Sequence, residues 1–408
     1  MSAWEDVFEG EGSERVHSRF APSSLKRILE CPRSVALAEA IGSTGKASVY
    51  AAEGSVAHTV AEAYLRGTPA PAVGTVVEQD GYKITVDQDM HDHGREYATY
   101  VRGLMVEGDV CFIETTVRLD SVVGEAANMY GHLDAAIWSP SRGLLIVVDY
   151  KYGRGVRVSA LDNAQLKAYG LGAIYTLPAV DPDDVKTIEA HVFQPRVPGM
   201  SAPDTIPAVD LLMWGHEEVA PTIAEIEQDG AVKRPYVTGD HCRFCPALAQ
   251  CPAMRDRAIK AAQKAFADDP VPESALSDDE MADLLNEIDV CEPWFDAVRK
   301  ESLIRAERGG NIRDRKLVAA RGRRAWSDEQ NVPVALVSLG LSKSDIYETS
   351  LRSPAQIEKK VAKANREAFN ALWTMRSSGH SLVPTSDPRP GVRVATAAEA
   401  FRDAPLQD

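Results

Sequence analysis

The sequence predicts an α/β protein with a mixed central sheet flanked by helices and a mainly helical C-terminal region. Between residues 20 and 196 the order of predicted elements is helix, helix, several strands, helix and strand. Such an order favours a sheet with helices packed on its faces. The apolar run at 144–148 is the length of a buried strand, and helical periodicity dominates after residue 265.

The first two elements are predicted helices. Residues 22–42, "PSSLKRILECPRSVALAEAIG", form one helix that begins at Ser23 or Ser24 and carries Cys31. Residues 53–67, "EGSVAHTVAEAYLRG", form a second helix with apolar residues along one stripe, and its final Gly67 suits a C-cap.

The strands follow. Alternating polarity predicts strands in "YKITVD" and "CFIETTVRL". The segments "MYGHLDAAIW" and "GLLIVVDYKYG" are joined by "SPSRG", a turn cluster that predicts a hairpin. A helix, "NAQLKAYGLGAIYTL", and a last strand, "TIEAHVFQPR", complete the α/β core.

The chain is expected to divide into five parts. These are a flexible acidic tail at 1–19, a core with a cysteine cluster at 20–262, an acidic linker and helix start at 263–290, a mainly helical accessory region at 291–390, and a flexible tail at 391–408. Two helices are clear after the linker. One lies within 278–308, and the other begins at an N-cap Ser353, with Gln356 in a capping box.

Composition limits the class of protein. The net charge of −15 excludes a protein coated in basic charge, although a local basic patch or a bridging metal still permits nucleic-acid binding. No apolar run has the length of a membrane span, and the acidic N-terminus does not resemble a signal peptide. We therefore expect a cytoplasmic protein whose six cysteines are not a disulfide framework.

Acidic residues converge at the predicted hairpin. Along the second strand Asp149 and Lys151 point the same way and Tyr150 points oppositely. Pairing across the turn places Asp134 opposite Asp149 to within a residue, about 5 Å away. Two adjacent carboxylates suit Mg²⁺ or Mn²⁺, and a lysine beside them fits metal-assisted phosphodiester hydrolysis.

These residues resemble the PD-(D/E)XK nuclease superfamily, and further motifs resemble its RecB-like branch. They are His58 on an upstream helix, Asp134 in "GHLD", and Gln165-x-x-x-Tyr169 on the helix after the catalytic strand. The resemblance implies a restriction-endonuclease-like core in which His58, Asp134 and Asp149 bind Mg²⁺ or Mn²⁺. It further implies that Asp134, Asp149 and Lys151 are catalytic, and that Gln165 and Tyr169 hold DNA.

Two acidic residues near these motifs each have two possible roles. Glu62 lies one turn from His58, where it assists the site or forms part of a solvated helix face, and we favour the solvated face. Glu114 either points into the cleft or is a plain strand residue.

Cysteines form a second candidate site. Cys242, Cys245 and Cys251 make a C-x₂-C-x₅-C cluster, which in a reducing compartment is typical of a metal site. A fourth ligand is needed, and His241 or the distant Cys31 could supply it, for zinc or for an iron–sulfur cluster. Cys111 and Cys291 are predicted to be plain buried residues.

One cysteine before the nuclease motifs and three after them resembles the iron–sulfur nucleases, including AddB-type helicase–nucleases and CRISPR-adaptation exonucleases. The resemblance implies a [4Fe–4S] cluster on Cys31, Cys242, Cys245 and Cys251. Its role would be to tie the end of the nuclease core to its first helix.

Residues 311–326 are the most basic stretch of the chain and end in Trp326. Arginines beside an aromatic ring suit contact with single-stranded nucleic acid. The alternative, a solvated segment whose charges pair with the nearby acidic helices, is slightly favoured. The whole layout also resembles an uncharacterised phage and prophage family, as in "LVAARGRRAWSDE". That resemblance implies a phage-encoded protein in a bacterial host.

The predicted function is a metal-dependent deoxyribonuclease, an exonuclease that acts on DNA ends or single strands in phage replication or recombination. Expected partners are DNA and a phage annealing protein, helicase or polymerase, with no membrane. Two alternatives stay open: a catalytically weak DNA-binding accessory protein with a nuclease-like fold, and a zinc-ribbon protein whose carboxylates are structural.

Overall fold

The structure of the protein is a computed structural model. It describes residues 18–42, 48–154, 157–265 and 277–316, together with residues 334 and 337. The chain divides into two compact units, residues 1–318 and 319–408, and every element below belongs to the first. The domain boundaries expected at 262 and 290 remain predictions.

The predicted fold class is confirmed: a mixed five-stranded sheet is flanked by helices, and a helical region follows it. A two-stranded hairpin, β1 (Val76–Gln79) and β2 (Tyr82–Thr85), stands apart from this sheet. The sheet order is β3-β4-β5-β6-β7, in which only β5 and β6 are parallel. Its strands are β3 (Val110–Arg118), β4 (Tyr130–Ser139), β5 (Leu144–Tyr150), β6 (Thr187–Phe193) and β7 (Asp204–Pro207).

The described α-helices differ widely in length. They are α1 (Leu25–Glu30), α2 (Arg33–Ala40), α3 (Val49–Arg66), α4 (Gln88–Leu104), α5 (Asp120–Val123), α6 (Ala164–Thr176), α7 (Ala208–Trp214), α8 (Ala220–Asp229), α9 (Pro252–Ala265) and α10 (Asp278–Glu307). A π-helical turn, Gly215–Val219, joins α7 to α8.

Two apolar cores lie on opposite faces of the sheet. Helices α3 and α4 bury residues such as Val60 and Tyr97 against one face. Helices α6, α7 and α8 bury residues such as Leu166 and Leu211 against the other. Because β5 lies between both cores, its side chains are buried on both faces, which explains the continuous apolar run at 144–148.

The register of the predicted hairpin is confirmed. Ser139 pairs with Leu144 and Ala135 with Val148, so the continued register sets Asp134 opposite Asp149. The β4–β5 pairing ends at Ala135 and Val148, whereas β4 continues to pair with β3 as far as Tyr130. The strands β4 and β5 therefore diverge, and a fork opens at the carboxyl end of β5.

The prediction of one helix over 22–42 was wrong. A 3₁₀ turn, Pro22–Ser24, leads into α1, and the chain breaks at Cys31 before α2 begins at Arg33. The break follows from Pro32, which lacks an N–H and disfavours helical geometry in the residue before it. Its consequence is that Cys31 sits at a helix end and not within a helix.

The second predicted helix is confirmed as α3. Its N-cap is Ser48, whose side chain accepts a hydrogen bond from the Ala51 N–H. It ends at Gly67 in the left-handed conformation, as the C-cap prediction requires.

Sequence analysis missed α4 and the helical stretch from α7 to α8. In α4 the buried face includes two histidines, so apolar periodicity alone does not reveal it. His91 bonds the Tyr64 hydroxyl at 2.7 Å and the Pro71 carbonyl oxygen at 2.8 Å. Polar partners that come from distant residues thus allow this face to be buried.

The helix expected within 278–308 is confirmed as α10, which begins at a capping box formed by Ser277 and Glu280. The helix predicted to start at Ser353, most of the basic stretch at 311–326 and both tails, apart from residues 18 and 19, lie outside the described residues. In the described part of the chain, no helix combines the length and the apolar character needed to cross a membrane.

Candidate metal centre

Asp134 occupies the fork between β4 and β5. Its Oδ2 accepts a hydrogen bond of 2.6 Å from the backbone N–H of Tyr150. Its Oδ1 lies 2.9 Å from Nδ1 of His58, which projects from α3 on one side of the sheet. The Asp134 carboxylate, and not a backbone carbonyl of β4, therefore accepts the hydrogen bond of the Tyr150 N–H. Through its contacts the side chain connects β4, β5 and α3.

Glu114 is the residue that sequence analysis did not resolve. Its cross-strand position on β3 is opposite Asp134, and its backbone has a φ of 47°, the left-handed region that a glutamate seldom occupies. One oxygen of its carboxylate lies 3.9 Å from His58 Nδ1. Among the described residues, the only group of three His, Cys, Asp or Glu ligand atoms within 4.8 Å of one another is His58, Glu114 and Asp134.

Strained backbone is kept where the surrounding structure enforces it, and such positions cluster at functional sites. Here the unusual φ of Glu114 brings a third ligand to the fork. The signal in the sequence was the pairing of "CFIETTVRL" with "MYGHLDAAIW", which places Glu114 and Asp134 opposite each other.

Asp149 begins a second chain of contacts in the same fork. The ammonium of Lys151 donates to its carboxylate at 3.0 Å and lies 3.3 Å from Oε1 of Gln165. The amide nitrogen of Gln165 donates to Asp149 Oδ1 and to the Tyr169 hydroxyl, at 3.1 Å in each case. Tyr150 points the other way into the core, as the strand alternation predicts.

The protonation of His58 and Asp134 is set by their contact. Burial lowers the pKa of His58, but Asp134 and Glu114 outweigh this effect and raise the pKa to about 10. Burial acts to raise the pKa of Asp134, yet the nearby His58 and Lys151 charges hold that pKa below its usual value. The contact with Asp134 therefore favours the imidazolium form of His58.

The pKa values of the other two carboxylates, Asp149 and Glu114, are raised. Burial raises the pKa of Asp149, and the nearby Asp134 charge adds to the effect, although Lys151 opposes it. Burial likewise raises the pKa of Glu114. Burial lowers the pKa of Lys151, but Asp149 and Asp134 more than compensate and raise it. A divalent cation bound beside these carboxylates would favour their ionised form.

The two sets of contacts share one open cleft of about 290 Å³. The walls are the segment 18–23 before α1 and the Ala51, Gly54 and Ser55 face of α3. Gly131 forms part of the floor, where a Cβ would lie 2.7 Å from Cγ of Pro22 and 2.9 Å from Cε1 of Tyr169. Only glycine fits there, which explains the glycine of "GHLD".

The predicted site residues therefore converge. His58, Asp134, Asp149, Lys151, Gln165 and Tyr169 all line this cleft. Asp149 is a neighbour of the compact ligand triad and not a member of it. Glu62 pairs with Arg66 at 2.9 Å, which agrees with its interpretation as part of a helix face.

The four cysteines of the second candidate site also lie close together. Cys31, Cys242, Cys245 and Cys251 line one small pocket between the α1–α2 break and the segment before α9. The backbone N–H of Val237 faces the Cys31 sulfur at 3.5 Å. Cys111 and Cys291 are both buried elsewhere, which confirms their prediction.

His241 lies at the same pocket. Its nitrogens lie 3.0 Å from the Val237 carbonyl oxygen and 2.5 Å from a Glu30 carboxylate oxygen, and its side chain also contacts the thiols of Cys31 and Cys242. Four thiols beside an imidazole can hold a zinc ion or an iron–sulfur cluster.

Fold and sites together define an α/β protein with a candidate metal centre in a strand fork and a separate four-cysteine pocket. The chain belongs to the family described as Protein of unknown function (DUF2800), whose family model matches residues 17–390.

Proposed function

We propose that the protein is a Mg²⁺- or Mn²⁺-dependent deoxyribonuclease of the RecB-like branch of the PD-(D/E)XK superfamily. One observation carries the proposal: three carboxylates, a histidine and a lysine meet in one cleft at the fork of β4 and β5. A lysine in contact with a carboxylate, beside a compact group of metal ligands, is the arrangement that metal-assisted phosphodiester hydrolysis uses.

The ligand set suits a hard divalent cation. His58, Glu114 and Asp134 offer one nitrogen and two carboxylates within 4.8 Å, and Asp149 adds a carboxylate to the same fork. When bound, the cation supplies positive charge that polarises the phosphate and lowers the pKa of a water.

The residues around the ligands orient the reaction. The positive charge of Lys151 lies at the cleft floor, where it would offset negative charge that develops on the phosphate. The amide of Gln165 holds both Asp149 and the Tyr169 hydroxyl, so the α6 face is locked to β5. These hydrogen bonds keep the catalytic groups in place before substrate arrives.

A [4Fe–4S] cluster on Cys31, Cys242, Cys245 and Cys251 is the cofactor we propose for the second site. The convergence of the four cysteines in one pocket supports it. Since Cys31 precedes the whole sheet and the other three follow it, the cluster would hold both ends of the core together.

The Glu114 carboxylate gives a specific prediction about the metal centre. We expect Glu114→Gln to weaken Mn²⁺ binding by at least tenfold, because a neutral amide loses most of the charge attraction to the cation. Isothermal titration calorimetry with Mn²⁺ measures the effect. The matched control is Glu62→Gln, one helical turn from His58 and paired with Arg66, which should bind Mn²⁺ like the wild type.

The function itself is tested with end-labelled DNA, single- and double-stranded, linear and circular, with Mn²⁺ or with EDTA. Metal-dependent cleavage of linear DNA that spares circular DNA is the expected result for an exonuclease. Absence of cleavage on every substrate by protein that binds Mn²⁺ would contradict the proposal and favour a DNA-binding accessory protein.

A further inference from the structure

Beyond the candidate metal centre, one face of the β3–β4 pair continues as a ladder of polar and aromatic residues. Next to the Glu114–Asp134 position, Thr116 pairs with His132, and Arg118 pairs with Tyr130. Cross-strand partners share a face, as do residues two apart along a strand. These four side chains therefore form one surface, here called the β3–β4 platform.

The platform is open to solvent, while the reverse side is core. Thr116, Arg118 and His132 are exposed and Tyr130 is half-buried. On the reverse side, Val117 is fully buried and Gly131 packs under Pro22 and Tyr169. The outward side chains are therefore not required to fill the core.

The platform is internally ordered. Thr116 Oγ1 lies 2.9 Å from His132 Nδ1, and the ring centroids of Tyr130 and His132 are 6.2 Å apart, nearly perpendicular. The Arg118 guanidinium lies 5.7 Å from the Tyr130 ring centre and donates a hydrogen bond of 2.9 Å to Asn128 Oδ1. It also pairs with the Asp120 carboxylate, whose Oδ2 lies 2.5 Å from Arg118 Nε. Ordered aromatic rings beside a cation can receive a ligand with little loss of side-chain entropy.

The platform is continuous with the metal cleft. Tyr130 and His132 line the same cleft as Asp134 and Asp149. From Asp134 to Tyr130 the strand spans about 13 Å, which corresponds to roughly four steps of a stacked nucleic-acid strand. A chain that enters the fork at its scissile phosphate would thus extend along this surface.

We propose that the β3–β4 platform binds the unpaired single strand of the substrate, with bases stacked on Tyr130 and His132 and a phosphate near Arg118. This inference rests on the proposed nuclease function and specifies its substrate class. Aromatic side chains on an open sheet face stack unpaired bases because every base has a π-face.

The aromatic rings of the platform favour a single strand over a duplex. In a duplex the base faces are stacked on each other, so the rings of Tyr130 and His132 would have no base to contact.

The test measures binding without cleavage. Fluorescence anisotropy of a short labelled oligothymidylate is recorded with Ca²⁺ in place of Mn²⁺ for wild type, Tyr130→Ala, Tyr130→Phe and His132→Ala. We expect Tyr130→Ala to weaken binding by about tenfold, His132→Ala by a smaller factor, and Tyr130→Phe to bind like the wild type. Blunt duplex of the same length should bind more weakly than the single strand.

The matched control is Tyr82→Ala on the separate β1–β2 hairpin, which should leave binding unchanged. Oligothymidylate binding by Tyr130→Ala and His132→Ala at wild-type affinity would overturn the platform, as would equal affinity of wild type for duplex and single strand. Hydrolysis of a thymidine p-nitrophenyl phosphate by wild type with Mn²⁺ separates the two proposals. If the wild type hydrolyses this ester but the platform variants bind oligothymidylate as tightly as the wild type, the platform alone is refuted. If the variants bind oligothymidylate more weakly as expected but the wild type does not hydrolyse the ester, the nuclease function is refuted.

Discussion

Lys151→Ala is expected to reduce the rate of DNA cleavage by roughly 10³-fold, while Mn²⁺ binding persists. The ammonium of Lys151 contacts Asp149 and Gln165 in the cleft, and the compact group of His58, Glu114 and Asp134 keeps all of its candidate ligand atoms when Lys151 is removed. Its removal takes away the positive charge that would meet the developing charge on the phosphate. Single-turnover cleavage of end-labelled single-stranded DNA measures the loss.

Asp149→Asn should cause a loss of the same order. The amide keeps the shape of the side chain but loses the negative charge that Lys151 and a cation require. Because Asp149 is 3% exposed, either change alters a buried ion pair and is expected to lower the melting temperature. Thermal unfolding of each variant therefore accompanies the cleavage assay, and rates are compared at a temperature where both are folded.

The matched control for Lys151 is Lys26→Ala, which removes an exposed lysine that pairs with Glu30 one turn along α1. It should cleave at the wild-type rate. Folded Lys151→Ala and Asp149→Asn proteins that cleave as fast as this control would remove the chemical basis of the proposed nuclease.

The second large effect is expected at the cysteine pocket. Cys31→Ser should abolish the brown colour of anaerobically purified protein and reduce iron from about four atoms per chain to near zero, since a [4Fe–4S] cluster needs four thiolates. The cross-link between the α1–α2 break and the segment before α9 would be lost with it. By analogy with other covalent cross-links, the free energy of unfolding should fall by about 3 kcal/mol.

A fall of that size corresponds to a melting temperature lower by roughly 4 °C for a chain of this length. Iron and zinc are measured by plasma mass spectrometry, and unfolding by circular dichroism. Cys291→Ser serves as the control, because Cys291 is a buried thiol outside the pocket and its loss should leave the iron content unchanged. A colourless wild-type protein with one zinc and no iron would contradict the proposed [4Fe–4S] cluster.

Much of the candidate site could be predicted because its parts are local in sequence. The hairpin of β4 and β5 has a short turn, and strand alternation then sets Asp134 against Asp149 with Lys151 on the same side. Gln165 and Tyr169 share a face of α6 because they are one turn apart, and their hydrogen bond agrees with that. Short-range geometry of this kind follows from backbone periodicity.

Other features depend on contacts between distant segments. The strained φ of Glu114 exists only because β3 pairs with β4 and α3 brings His58 to the same point. Helix α4 was not predicted because its buried face includes His91, whose hydrogen-bond partners, Tyr64 and Pro71, lie outside the helix. The periodicity of apolar residues in a sequence does not show which distant residues a side chain will contact.

The sequence alone was sufficient for the fold class, the hairpin register and most of the candidate site residues that line the cleft, because alternation, helical spacing and turn residues act over a few positions. Only the tertiary structure added Glu114 to the ligand triad, placed Asp149 beside it, and extended the cleft along Tyr130 and His132. These features follow from where β4 leaves β5, and that point is decided by long-range packing of α3 and α6 on the two faces of one sheet.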